Sequence, residues 1–66
     1  SGNWVLECDT RYTGGTIEVY DANGRIVYNT TIRQSKTELN FEAARGVYYL
    51  RVNHTGNSRV VKLVKL

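Results

Sequence analysis

Thr16-Ile17-Glu18-Val19-Tyr20-Asp21-Ala22-Asn23-Gly24-Arg25 is the stretch on which the fold turns. Ile17 and Val19 alternate with Glu18 and Tyr20, the period-two pattern of a strand with one buried face. Asp21 to Gly24 then reverses the chain. Asp favours the first position of a type I turn and Gly accepts the positive φ that ends it, so a hairpin with a Gly bulge is expected. Arg25 to Ile32 is the return strand.

The same texture continues outward from this hairpin. Trp4 to Cys8 reads as a first strand with Trp4 and Leu6 on one face, and Asp9 to Gly15 as a polar connection ending in Gly14-Gly15. On the other side, Thr37 to Phe41 alternates Leu39 and Phe41 with polar residues, the pattern of a short strand. Glu42-Ala43-Ala44-Arg45 is one helical turn long and meets Gly46, so a turn or 3₁₀ segment is expected there. Gly46 to Val52 is a strand, Asn53 to Asn57 a turn that leaves His54 exposed, and Ser58 to Leu66 a closing strand. The chain is rich in Val, Ile, Thr and Tyr, lacks proline, and is cut at short intervals by Gly and Asn. The expected fold is all-β: about six or seven short strands in a β-sandwich with Greek-key-like connections, with a small closed barrel as the alternative.

At 66 residues the chain is expected to be one domain, 1–66, with too small a core to enclose a large active site. A core of this size gives roughly 3–5 kcal/mol of stability. The net charge of +3 is scattered from Arg11 to Lys65, which favours acidic partners only weakly and speaks against nucleic acid. No apolar run is long enough to span a bilayer.

The search for chemistry returns mostly turn and packing residues. Cys8 is the single cysteine, so neither an internal disulfide nor a zinc ligand set can be assembled, and no cofactor is expected. Glu7 and Asp9 beside it would raise the thiol pKa and oppose a thiolate nucleophile. His54, the lone histidine, has no carboxylate or Cys nearby in sequence to orient it. Asp21 and Asn23 resemble the start of a calcium loop, but Gly24 comes too early and no bidentate Glu follows. The two glycosylation triplets, at Asn29 and Asn53, are of a kind that arises by chance in an Asn- and Thr-rich chain. With no paired carboxylates, triad or metal set, an enzyme is not expected. Tyr20, Tyr28, Tyr48 and Tyr49 fall inside strands, where cross-strand packing accounts for them better than a platform for bases or sugars.

The closing strand is unusual. Val60, Lys62, Val64 and Leu66 fall on one face and Arg59, Val61, Leu63 and Lys65 on the other, so both faces are mainly apolar. Such a strand is central in a sheet with its lysines snorkelling, or part of it meets a partner.

Three segments together carry a resemblance: Ile17 to Val27 around Tyr20-Asp21-Ala22-Asn23-Gly24, Arg45-Gly46-Val47-Tyr48-Tyr49-Leu50-Arg51-Val52, and Val60-Val61-Lys62-Leu63-Val64-Lys65 at the end of the sequence. In order and spacing they are similar to the type A C-terminal sorting domain of type IX secretion cargo in Bacteroidetes. The resemblance implies an immunoglobulin-like sandwich and a non-catalytic export signal, carried through the periplasm and then an outer-membrane translocon to the cell surface. The implied partners are that translocon or a shuttle protein and a surface sortase that usually removes the domain. It further implies that Gly24 and Gly46 shape turns, that Tyr48 anchors the core, and that Lys62, Leu63, Val64, Lys65 and Leu66 lie in the segment that matters for recognition. Family members often begin with a Tyr-Pro-Asn-Pro segment; this chain has no proline, so an upstream strand is expected to be missing. Pairing of the terminal strand edge to edge could also make a homodimer. The alternatives are a glycan-binding accessory module of a secreted hydrolase, which requires aromatics clustered on one exposed face, and an uncleaved domain of a secretion-system component.

Overall fold

A computed structural model describes residues 4–66. Six strands follow one another in the order β1 (Trp4–Glu7), β2 (Thr16–Asp21), β3 (Ile26–Thr31), β4 (Lys36–Leu39), β5 (Gly46–His54) and β6 (Asn57–Lys65). They form two sheets, β1-β4 and β3-β2-β5-β6, in which every pairing is antiparallel. The chain changes sheet between β1 and β2, between β3 and β4, and between β4 and β5, so the pairings β1–β4 and β2–β5 join strands distant in sequence, while β2–β3 and β5–β6 are hairpins. The result is the expected small sandwich with Greek-key-like connections. The sheets are open, so the barrel alternative falls.

Alternation decides what is buried. Ile17 and Val19 of β2, Leu39 of β4, and Tyr48, Leu50 and Val52 of β5 point between the sheets, joined by Ile32 just past β3. Trp4 and Leu6 of β1 share the inward face as expected, and pack against this core with Tyr28, Phe41 and Leu63. The aromatic part is a connected cluster. Trp4 meets Phe41 edge-on at 5.3 Å between centroids, and Phe41 stacks on Tyr28 at 5.4 Å. Phe41 also meets the Tyr48 ring edge-on at 6.1 Å. The Tyr48 hydroxyl donates to the Ala44 carbonyl at 2.8 Å. A buried phenol needs such a partner, and immunoglobulin-like domains close a corner in the same way.

The central hairpin forms as its sequence dictates. Gly24 N–H donates to the Asp21 carbonyl at 3.0 Å and Asp21 N–H to the Arg25 carbonyl at 2.9 Å, with Gly24 at φ +86°. A further register shift follows, because Val19 pairs with Tyr28 but Tyr20 with Ile26, leaving Val27 as an extra residue. The β5–β6 hairpin is tighter than its sequence suggests. His54 pairs with Asn57 around Thr55-Gly56, both at positive φ, the backbone of a two-residue type I′ loop. His54 therefore belongs to a strand and is half-buried, which corrects its placement in an exposed turn.

Two other expectations change. The 3₁₀ turn lies at Thr10–Tyr12, capped by the Asp9 side chain on Arg11 N–H, while residues 40–44 have no regular structure. Tyr48 explains the second point, since its bond to Ala44 holds that segment as an irregular corner. Cys8 packs against the core half-buried, and burial, not the neighbouring carboxylates, pushes its pKa up.

One buried polar group has no partner among the described residues. Thr37 Oγ1, on the inward face of β4, makes no hydrogen bond. Thr37→Val keeps the branched shape and removes that hydroxyl, so the variant should be as stable as the parent or more stable by about 1 kcal/mol. Urea unfolding followed by circular dichroism measures this directly.

Candidate functional site

The three segments singled out in the sequence become three adjacent strands. Across β2, β5 and β6 the register aligns Tyr20 with Tyr49 and Lys62, and Asp21 with Tyr48 and Leu63. Gly46 opens β5 opposite Lys65, and Val47 faces Val64. Tyr20, Gly46, Tyr48, Lys62, Leu63, Val64 and Lys65 thus share one half of a single sheet, with Asp21 and Gly24 in the turn beside it. Leu66 follows the last paired residue and is 97% exposed.

Each residue's setting is distinct. Asp21 is a turn residue: its Oδ1 accepts from Asn23 N–H at 2.9 Å and Arg25 N–H at 3.0 Å, and the Arg25 guanidinium lies 3.5 Å from Oδ2. The backbone bond from Arg25, then that from Asn23 and the nearby charge, hold the Asp21 pKa below its ordinary value against the opposing effect of burial. A depressed native pKa means that the contribution to stability is complete above the ordinary Asp range and is lost as pH falls through the native value. Asp9, held low by its bonds to Arg11, acts in the same direction. Asp21→Asn keeps an acceptor in the turn, so its melting temperature should fall less between neutral pH and about pH 3 than that of the parent, the remaining slope belonging in part to Asp9.

Tyr20 projects from the outer face of β2. Its hydroxyl donates to Glu18 Oε1 at 3.0 Å, which raises its pKa, and the Arg51 guanidinium lies over its ring at 5.6 Å. Tyr48 is the buried anchor described above. Leu63, half-buried on the inward face of β6, packs against the core cluster.

β6 is an edge strand, so of the two alternatives left open by its sequence the central, mostly buried strand falls. Its ladder with β5 runs unbroken from Asn57 to Lys65. Val60 and Val64 are 61% and 55% exposed on one face, and Val61 is 41% exposed on the other. The opposite edge of the same sheet is β3, which is polar over Asn29, Thr30 and Thr31 and is broken by the bulge at Val27. Polar side chains and bulges are the devices by which proteins blunt an edge. One edge is interrupted by a bulge; the other is long and regular, and exposes Val60, Val61 and Val64 among Arg59, Lys62 and Lys65. Inward of β6, Leu6, Cys8, Val52, Arg59 and Val61 line a groove of about 220 Å³ between the two sheets.

Sequence reasoning missed two features. Gly15 is buried where the 3₁₀ turn, β3 and β5 converge, and Tyr49, Arg51 and Val60 form a face with Tyr20. Both depend on the β2–β5 pairing, which no local pattern announces.

Among the described residues there is no grouping of three His, Cys, Asp or Glu side chains that could hold a metal ion, and no helix long and apolar enough to cross a membrane. Fold and site together define a small β-sandwich with one long, exposed sheet edge. The chain belongs to the secretion system C-terminal sorting domains, whose family model matches residues 2–66. No curated protein and no solved structure gives a match. Its function is that of a non-catalytic C-terminal signal for secretion, in association with the type IX machinery that serves the periplasm-to-surface route.

Proposed function

We propose that the chain directs its parent protein through the outer-membrane type IX translocon by offering the β6 edge to a translocon or shuttle protein as an acceptor for strand addition. The contrast between the two edges of the four-stranded sheet is the observation that supports this reading. In strand addition the main chain supplies affinity and alternate side chains supply specificity. Gly46 and Tyr48 set the partner strand of β6, Leu63 locks it to the core, and Lys62, Val64, Lys65 and Leu66 remain as the readable part. A surface sortase then removes the domain. The same edge is available for homodimerisation of the isolated domain, which sedimentation over a range of concentrations would reveal.

The glycan-binding alternative required aromatics gathered on one exposed face. Trp4, Tyr28 and Tyr48 instead join the internal cluster with Phe41, and of the two tyrosines left on the outer face, Tyr20 and Tyr49, the first has its ring under Arg51. Fusing residues 1–66 behind a periplasmic reporter, with a native upstream stretch, in a type IX-competent host tests the proposal. Surface display that disappears in a translocon mutant is expected. Retention of the reporter in the periplasm of the competent host, or display that persists in the mutant, would refute it.

A further inference from the structure

The outer face of the four-stranded sheet carries an apolar surface that the edge does not explain. Ile26 is 50% exposed and Tyr49 40%, and they continue through Tyr20 to Val60 and Val64 across all four strands. Tyr20, Tyr49, Arg51 and Val60 line a shallow bowl of about 380 Å³, walled on one side by the Asp21–Gly24 turn. A solvated sheet face ordinarily alternates toward polar residues. Contiguous exposed apolar side chains on such a face mark an interaction surface.

Charge specifies the partner. The two carboxylates near this face are already engaged, Glu18 by the Tyr20 hydroxyl and the Asn53 amide, and Asp21 by its own turn and Arg25. Arg51 and Lys62 lie on the same face and pair with no carboxylate among the described residues. Glu18 keeps its charge opposite Arg51, since its hydrogen-bond partners are neutral, and Lys62 leaves the face apolar with a net excess of positive charge toward β6. A saccharide platform needs free aromatic faces, but Arg51 covers the Tyr20 ring, and the rest of the surface is mostly branched aliphatic.

We infer that this outer face is a second contact surface, docking a protein of the export machinery through an apolar patch bordered by acidic side chains. The inference rests on the sorting function and deepens it: the partner at the β6 edge extends over the outer face, so recognition is one-sided. Val60, Lys62 and Val64 contact the partner, whereas Arg59 and Val61, on the inner face of the same strand, do not.

Alternation along one strand makes the test internal. In the reporter fusion, Val60→Thr combined with Val64→Thr, and separately Lys62→Glu, should each reduce surface display at least about tenfold. Arg59→Glu and Val61→Thr should leave it within about twofold. Threonine preserves the branched strand-forming shape, and circular dichroism with thermal melting of each purified variant identifies any that fail to fold. Should an outer-face variant unfold, Tyr49→Ser, on the neighbouring strand, replaces it. Equal loss from inner- and outer-face variants would overturn the one-sided surface while leaving strand addition intact. Undiminished display from the folded outer-face variants would also overturn it. Failure of the unsubstituted fusion to be displayed would instead remove the sorting reading on which it rests. Sedimentation of the purified domain with vesicles of host outer-membrane lipid, lost in the outer-face variants, would assign the face to lipid or its saccharide and overturn the protein partner.

Discussion

Gly15→Ala is expected to remove most of the domain's stability, although Gly15 sits in no motif. A Cβ placed there would lie 2.2 Å from the Asn53 carbonyl oxygen, 2.8 Å from His54 Cβ and 3.0 Å from the Tyr12 carbonyl oxygen. Two of those three atoms are backbone, so no flexible side-chain end can swing clear of them. The surrounding backbone is also tied down. Gly15 N–H donates to Tyr12 at 2.9 Å, and its carbonyl accepts from Ile32 N–H at 2.9 Å. Gly14 N–H donates to Ile32 at 2.8 Å. Relief would mean parting β2 from β5 or dismantling the 3₁₀ turn. Overpacking costs about 1–3 kcal/mol, and a backbone clash belongs at or above the upper end. Set against roughly 3–5 kcal/mol of total stability, that removes most of the margin. The melting temperature should fall by roughly 10–20 °C. Gly24→Ala provides the comparison: its φ of +86° is strained for alanine, yet nothing lies within 4 Å of the added carbon. It should cost only about 1–2 kcal/mol. A Gly15→Ala melt close to that of Gly24→Ala would show that β2 and β5 can separate to admit the methyl group.

Deleting Lys62 to Leu66 should abolish export of the reporter, and by itself that loss would not say why. The deletion removes the residues paired with Gly46, Val47, Tyr48 and Tyr49, and takes Leu63 off the core cluster. Folding and recognition fail together in such a variant. Leu66 separates them, because it lies beyond the ladder and is almost wholly exposed. Leu66→Ser should change stability by no more than about 0.5 kcal/mol. If β6 is read directly, the same substitution should still lower surface display several-fold. Full display from Leu66→Ser, beside no display from the deletion, would restrict the role of this end of β6 to completing the fold. Leu63→Ala should behave in the opposite sense, with display falling in proportion to the loss of folded domain.

Much of this architecture was legible in the residues. The alternation of Ile17 and Val19 with Glu18 and Tyr20 placed the inward face of β2, and Asp21-Ala22-Asn23-Gly24 specified both the turn and its bulge, because each rests on local backbone preferences. The three family segments were visible for the same reason. Their alignment as neighbouring strands was not, since β2 reaches β5 only after the chain has passed through the other sheet. The unusual composition of β6 was plain, but two-sided apolar alternation fits a central strand as well as a sticky edge. Only the strand order separates them. Gly15 reads as half of a polar loop ending and proves to sit against β5 and the 3₁₀ turn with no room for a Cβ.

The β class, the places where the chain turns, the inward face of most strands and membership of the sorting-domain family are all written in the order of the residues. These follow from period-two alternation and turn chemistry, which act over a few residues. The tertiary structure alone decided that β6 lies at an edge while β3 is the blunted one, that Tyr20, Tyr49, Val60 and Lys62 form a common face, and that Gly15 can carry no side chain. Each of these depends on which strands hydrogen-bond across long sequence separations. Local periodicity carries no record of that pairing, because a strand's own residues alternate in the same way whichever neighbour it finds.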